Sequence, residues 1–264
     1  MAVKRVLRAG LLGAALLCPA IPTAARADDA ADQGRQIMTK CADAVVTLKM
    51  VLKTRMASEG REMNEDEDTN ETKGTVIDAS GLVVASLTDV DPSHVIAMRM
   101  QDNPDFTMEI EVTDLKIRLA SGKEIPAQIV LRDKDLDLVY IRPTEKPEAP
   151  LAAVDLADSA EAGVLDEILV LSRMSEAANL VPSASLDRVL AVVEKPRRLY
   201  VPGLPTMMAG LGCPVFALDG HVIGIVVVRS IPQHAGGSDS PYGDSMPVII
   251  PAADVTEGAK QASP

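Results

Sequence analysis

Few residues in this chain stand where acid–base, nucleophilic or metal chemistry could use them. The histidines are His94, His221 and His234. They are scattered, and no group of Cys and His shows metal-ligand spacing. No metal and no cofactor are therefore expected. The cysteines are Cys18, Cys41 and Cys213. The last two are far apart in sequence. An oxidising compartment permits a disulfide between Cys41 and Cys213, and two buried thiols are the alternative. Carboxylates cluster once, between Ser58 and Glu71, where Glu59, Glu62, Glu65, Asp66, Glu67, Asp68 and Glu71 crowd together. The stretch lacks the glycine and the alternating ligand spacing of a calcium loop. It reads as a solvated, mobile loop.

The elements that could position such residues begin after a leader. Lys4, Arg5 and Arg8 precede an apolar run from Ala9 to Leu17, then Pro19, Pro22 and the small-x-small triplet Ala25-Arg26-Ala27. This is the anatomy of a cleaved secretory signal peptide. Cleavage is expected after Ala27, with a mature chain from Asp28 that is periplasmic or secreted. The apolar run is too short for a transmembrane anchor. A lipoprotein reading through Cys18 is disfavoured by the large Leu17 before it. Removing the four basic residues of the leader takes the formal net charge from −12 to −16. Such a surface repels nucleic acid and anionic lipid. Tryptophan is absent and aromatic residues make up 2% of the chain, so the core must be aliphatic.

Residues 28 to 42 read as a short helix, and strand signals dominate afterwards. Val45 to Arg55 is apolar and β-branched. Gly74 to Asp78 and Leu82 to Ser86 flank an Ala-Ser-Gly turn. Glu109 to Leu119 alternates, and Ile125 to Leu131 follows a Ser121-Gly122 turn. Further strands are expected at Leu138 to Ile141, Ile168 to Leu171, Val189 to Val193, Val215 to Leu218, Val222 to Val228 and Pro247 to Ile250. Ala252 to Ala262 reads as a closing helix. Many short strands without βαβ alternation mean an all-β fold, barrel or sandwich. The Pro-, Ala- and Asp-rich segment Glu145 to Ala160 reads as the connection between two halves, 28–150 and 151–264.

Four segments carry a resemblance. The first runs Gly74-Thr-Val-Ile-Asp-Ala-Ser-Gly-Leu-Val-Val-Ala-Ser-Leu-Thr-Asp-Val. The second runs from Lys116 to Ile141 and contains Ala-Ser-Gly-Lys and Asp-Leu-Asp-Leu-Val. The third is Ala209-Gly-Leu-Gly-Cys-Pro-Val-Phe-Ala-Leu-Asp-Gly-His-Val-Ile-Gly-Ile. The fourth is Met246-Pro-Val-Ile-Ile-Pro-Ala. In order and spacing they resemble the trypsin-like serine proteases of the high-temperature-requirement (HtrA/Deg) kind. The resemblance covers nearly the whole chain after the leader. It implies a double β-barrel, two six-stranded antiparallel Greek-key barrels with short N-terminal and C-terminal helices and a cleft between them. It also implies that the acidic stretch 58–72 falls in a long loop which, in oligomeric relatives, reaches over a neighbouring subunit. The peptide-binding PDZ module of many relatives is not expected here.

That family's chemistry needs a serine nucleophile, a histidine base and an aspartate that orients the histidine, with backbone amides as the oxyanion hole. By the resemblance, the aspartate position is Asp137, the histidine position is Thr88 and the serine position is Leu211. Threonine does not titrate near neutrality and leucine has no nucleophilic atom. The oxyanion loop is Ala209, Gly210, Leu211, Gly212 and Cys213, with Ala209 and Cys213 where the family has glycine. Cys213 lies two residues beyond the serine position, with no histidine mapped beside it. Ser245, in Tyr242-Gly-Asp-Ser-Met-Pro, is followed by Met246 and Pro247 rather than glycines and reads as a polar loop. If the segment around Thr88 is extended, Asp89 points to the opposite side.

The expected function is therefore a pseudoprotease. It would bind a protein or peptide, with Ser86 to Asp91 and Leu186 to Val193 as candidate contact edges, or it would serve as a regulatory or scaffold subunit beside an active paralogue. The alternative is an active periplasmic endopeptidase with a non-standard site.

Overall fold

The computed structural model describes residues 25–58, 61–93, 106–230 and 245–262. The leader through residue 24, together with His94, His234 and part of the Ser245 loop, lies outside the described residues.

Helix α1, Ala25–Cys41, leads through a 3-10 turn at Ala42–Ala44 into the first barrel. That barrel consists of β1 Val45–Ser58, β2 Arg61–Val76, β3 Val83–Ser86, β4 Phe106–Arg118, β5 Glu124–Asp133 and β6 Leu138–Pro143. One helical turn, α2 at Leu87–Val90, follows β3. The second barrel consists of β7 Glu167–Arg173, β8 Pro182–Val193, β9 Leu199–Pro202, β10 Pro214–Ala217, β11 Val222–Ser230 and β12 Ser245–Pro251. A short helix, α3 at Leu204–Ala209, precedes β10, and α4, Ala252–Gln261, follows β12.

Both barrels close, with antiparallel neighbours throughout, in the orders β1-β2-β3-β6-β5-β4 and β7-β8-β9-β12-β11-β10. The second order repeats the first six strands later, although no repeat is visible in the sequence. The all-β double barrel with terminal helices is the architecture expected from the sequence.

The apolar runs follow from burial on both faces of the strands. In β1, Val46, Leu48 and Met50 fill the first barrel, while Val45 points to the second. In β11, Ile223 and Val226 fill the second barrel, while Ile225 and Val227 point back to the first. β3, β6, β7 and β12 divide in the same way. Successive side chains alternate faces, so a strand wedged between a barrel interior and a second barrel must be apolar at nearly every position.

The helices brace the barrels crosswise. Ile37 of α1 joins the inter-barrel core, and a Cβ on Gly34 would stand 3.1 Å from Leu169 Cδ1 of the second barrel. α4 follows the second barrel and packs on β11 there and on β5 and β6 of the first. There the buried Tyr140 hydroxyl donates to the Val255 carbonyl at 2.8 Å, and Gly258 leaves no room for a Cβ above the Tyr140 ring.

Several expectations need correction. From Arg61 onward the acidic stretch is not a mobile loop. It is strand β2, paired with β1 in register from Thr75 opposite Val45 to Arg61 opposite Ser58, with one irregularity at Met56/Ala57. Glu65, within it, stands beside two cations of β1. Lys53 Nζ lies 2.6 Å and Arg55 Nε 3.2 Å from Glu65. No calcium-type cluster of acidic residues occurs among the described residues. The segment around Thr88 is a helical turn rather than extended, so Ser86 to Asp91 offers no strand edge. Leu186 to Val193 lies in β8, where residues up to Arg188 pair with β7 and residues from Val189 pair with β9. The possible Cys41–Cys213 disulfide is not formed, and both thiols are free.

Candidate functional site

Asp137 sits at the tight turn before β6, with φ 55°. It is buried, 7% exposed. Its carboxylate accepts from Ser86 Oγ at 2.5 Å, Thr88 N at 2.8 Å, Thr88 Oγ1 at 2.6 Å and Val228 N at 3.2 Å. The Leu87 amide donates to the Asp137 carbonyl at 2.8 Å. The α2 turn and the β6 entrance are thus stitched together around one carboxylate. Burial pushes the Asp137 carboxyl above the usual range, and the donors from Ser86, Thr88 and Val228 oppose that shift. Beside it, Asp89 points away from Asp137 and accepts from Thr72 Oγ1 at 2.8 Å. Burial raises its carboxyl as well.

β11 connects this pair to the 209–213 loop. The Gly212 amide donates to the Val226 carbonyl at 2.7 Å, and the Val226 amide donates to the Cys213 carbonyl at 3.0 Å. Two residues along the same strand, Val228 bonds Asp137. From the first barrel, Thr75 Oγ1 donates to the Gly212 carbonyl at 2.8 Å. The fold therefore brings Thr88 and Asp137 into direct contact and seats the loop one strand step away.

The loop's conformation follows from its neighbours. Ala209 is the last residue of α3. An α-helical N–H is directed along the axis toward the preceding turn, so its amide faces back into α3. Its carbonyl accepts from Ser172 Oγ at 2.6 Å. Gly210 and Gly212 have φ 103° and 75°, values that exclude ordinary side chains. Leu211 is half-buried and packs on the core of the second barrel. Its side chain fills space and offers no polar atom.

Cys213 is wholly buried. Burial pushes its thiol up to about 11, against a lowering contribution from Ser172 and Lys73. The thiolate is the reactive form, so Cys213 is inert as a nucleophile near neutral pH. Native mature chain is expected to titrate Cys41 alone with a thiol reagent, and Cys213 only after denaturation. A second fast thiol, or none in denaturant, would contradict this.

Among the described histidines, His221 lies on the surface, 2.5 Å from Asp158 and apart from Asp137 and the loop. Sequence reasoning missed the roles of Ser86 and Val228 as Asp137 partners. It also missed Lys73, whose side chain lies against the loop. A Cβ on Gly212 would stand 2.2 Å from the Lys73 carbonyl oxygen, and one on Gly210 4.0 Å from Lys73 Cγ.

With this geometry in place, two comparisons bear on it. The family described as Trypsin-like peptidase domain matches residues 72–225, a span holding Thr88, Asp137, Lys73 and the whole loop. Among solved structures, the chain is similar to the MamO protease domain from Magnetospirillum magneticum in its apo form. The TM-score is 0.51 at 13% identity, covering 83% of this chain and 97% of that one. At that identity the likeness speaks for the fold alone.

Proposed function

The chain belongs to the trypsin-like peptidase domain family, and on that premise we propose that it is an exported pseudoprotease of the HtrA/Deg kind. It works by holding a protein or peptide, or as a regulatory or scaffold subunit of an active paralogue. The observation that carries this reading is the state of Asp137. Its family role is to orient a histidine. Here the hydroxyl and amide of Thr88 occupy one of its oxygens, while Ser86 and Val228 hold the other. Among the described residues, no general base stands between that carboxylate and the loop. At the position of the nucleophile, Leu211 packs into the core. The α3 helix adds to this by directing the Ala209 amide back along its own axis. Export is supported by the leader pattern of residues 1–27. Among the described residues, no helix is long and apolar enough to cross a membrane.

The test joins a covalent serine-hydrolase probe with casein turnover on the mature chain. Neither labelling nor turnover above a buffer control is expected. Labelling that disappears on replacing a single serine would sink the proposal and favour an endopeptidase with a non-standard site.

A further inference from the structure

Lys73 is the anomaly beside the loop. It projects from β2, half-buried, against Gly210 and Gly212. Its ammonium makes no hydrogen bond and no ion pair among the described residues. The neighbouring cations are committed elsewhere. Arg118 Nη1 lies 3.1 Å from Glu71 and 3.2 Å from Glu176, with Nη2 2.9 Å from Glu124. Arg173 donates to the carbonyls of Ala42, Val45 and Leu180. Burial lowers the Lys73 pKa, charge at Cys213 and Glu71 opposes that in part, and Arg173 and Arg118 press in the same direction as burial. An ammonium partly stripped of water and unpaired is costly. A ligand carboxylate would offset that cost with a charge-assisted bond. On a chain of net charge −12, such a cationic spot is the local exception.

The second observation adjoins the first. Ala209 also lines a cavity of about 290 Å³, together with Ser172, Ser183, Ser185, Pro205 and Met208. It is the size of a side chain rather than of a cofactor. Its rim is apolar. Met208 is 78% exposed and Leu204 57%, with Leu186 of β8 close by at 43%. The cavity and the Lys73 stem are thus neighbours through the residues 209 and 210. The Leu211 amide, at the next position, donates to no acceptor among the described residues.

We infer that this face receives the C-terminal end of a peptide. The terminal carboxylate pairs with the Lys73 ammonium, and the last side chain, apolar, enters the cavity beside Met208. The inference rests on the peptide-binding reading above and specifies its ligand.

Random heptapeptides displayed with free C-termini, and the same library with the C-terminus fused to a carrier, are panned against the mature chain. Enrichment is expected in the free-carboxylate format only, in sequences ending in an apolar residue. A selected heptapeptide synthesised as its C-terminal amide is expected to bind about tenfold more weakly. Lys73→Met is expected to erase the acid-over-amide difference, with a melting temperature no lower than the parent's, since the costly ammonium is removed. Equal binding of acid and amide, or a difference that survives Lys73→Met, overturns the inference while leaving peptide binding intact. No enrichment in either format overturns both. If 4-methylpentanoate alone binds as tightly as a leucine-ended peptide, the ligand is a small acid and the peptide assignment fails.

Discussion

Replacing Arg173 by leucine is expected to lower the thermal midpoint of the mature chain by about 10 °C, from a loss of about 3 kcal/mol. Arg173 ends β7 with 4% exposure. Its guanidinium donates to Ala42 O at 2.6 Å, Leu180 O at 2.7 Å and Val45 O at 2.8 Å. Those carbonyls belong to the turn after α1, to the start of β1 and to the β7–β8 connection. One side chain therefore clamps the N-terminal entry of the first barrel onto the second. Removing a buried ion pair in favour of apolar residues can be neutral, but that case differs. The acceptors here are main-chain carbonyls that a substitution cannot delete, and each is left short of a donor in the interior. The countervailing gain is relief of a buried charge, since the nearest carboxylate, Asp43, stands 3.6 Å away on the surface. The orphaned acceptors outweigh it. Calorimetry of the two chains checks this. A midpoint within about 2 °C of the parent would mean that water replaces the guanidinium and that the clamp is dispensable.

Arg173 was not singled out in the sequence, and the reason applies to much of the site. Alternation and turn residues reveal which segments are strands, because that signal is local. They reveal β3, β6, β7, β10, β11 and β12 well, where both faces are buried. They conceal β9, which is four residues long, ends in Pro202 and follows a charged stretch. They conceal α3 more thoroughly. Its first turn is held by Asp187 of β8, whose Oδ2 accepts from Thr206 N at 2.9 Å and Thr206 Oγ1 at 2.6 Å. A cap supplied from another strand leaves no trace in the helix's own sequence. The acidic β2 failed for a related reason. Strands rich in Asp and Glu are disfavoured by propensity, and the cations beside Glu65, Lys53 and Arg55, come from the partner strand. The Thr88–Asp137 contact was legible as two positions of one motif set, since the resemblance carried their spacing. That Thr88 would use both its amide and its hydroxyl on a single carboxylate oxygen depends on the α2 turn, which the spacing did not reveal.

Gly212→Ala is expected to cost about 4 kcal/mol or more and to leave little folded protein at 37 °C. The backbone there has φ 75°, which costs about 1 kcal/mol for alanine. The larger part is steric. An added Cβ would stand 2.2 Å from the Lys73 carbonyl oxygen, 3.0 Å from its carbon and 3.4 Å from Ala85 Cα. All three atoms are main chain of β2 and β3, held in the first barrel, so no rotamer change relieves the overlap. The barrels would have to separate, breaking the Thr75–Gly212 bond at 2.8 Å and the Gly212–Val226 bond at 2.7 Å. Leu211→Ala, one residue earlier, removes a half-buried side chain and is expected to cost at most half as much, about 2 kcal/mol. Chemical denaturation of both variants measures the contrast. If the Gly212 variant unfolds no more easily than the Leu211 variant, the loop is loosely seated and the barrel contact is not what demands glycine. With the expected ranking, the glycine matching the family motif is required for close approach of two barrels. Its presence there is then a requirement of packing.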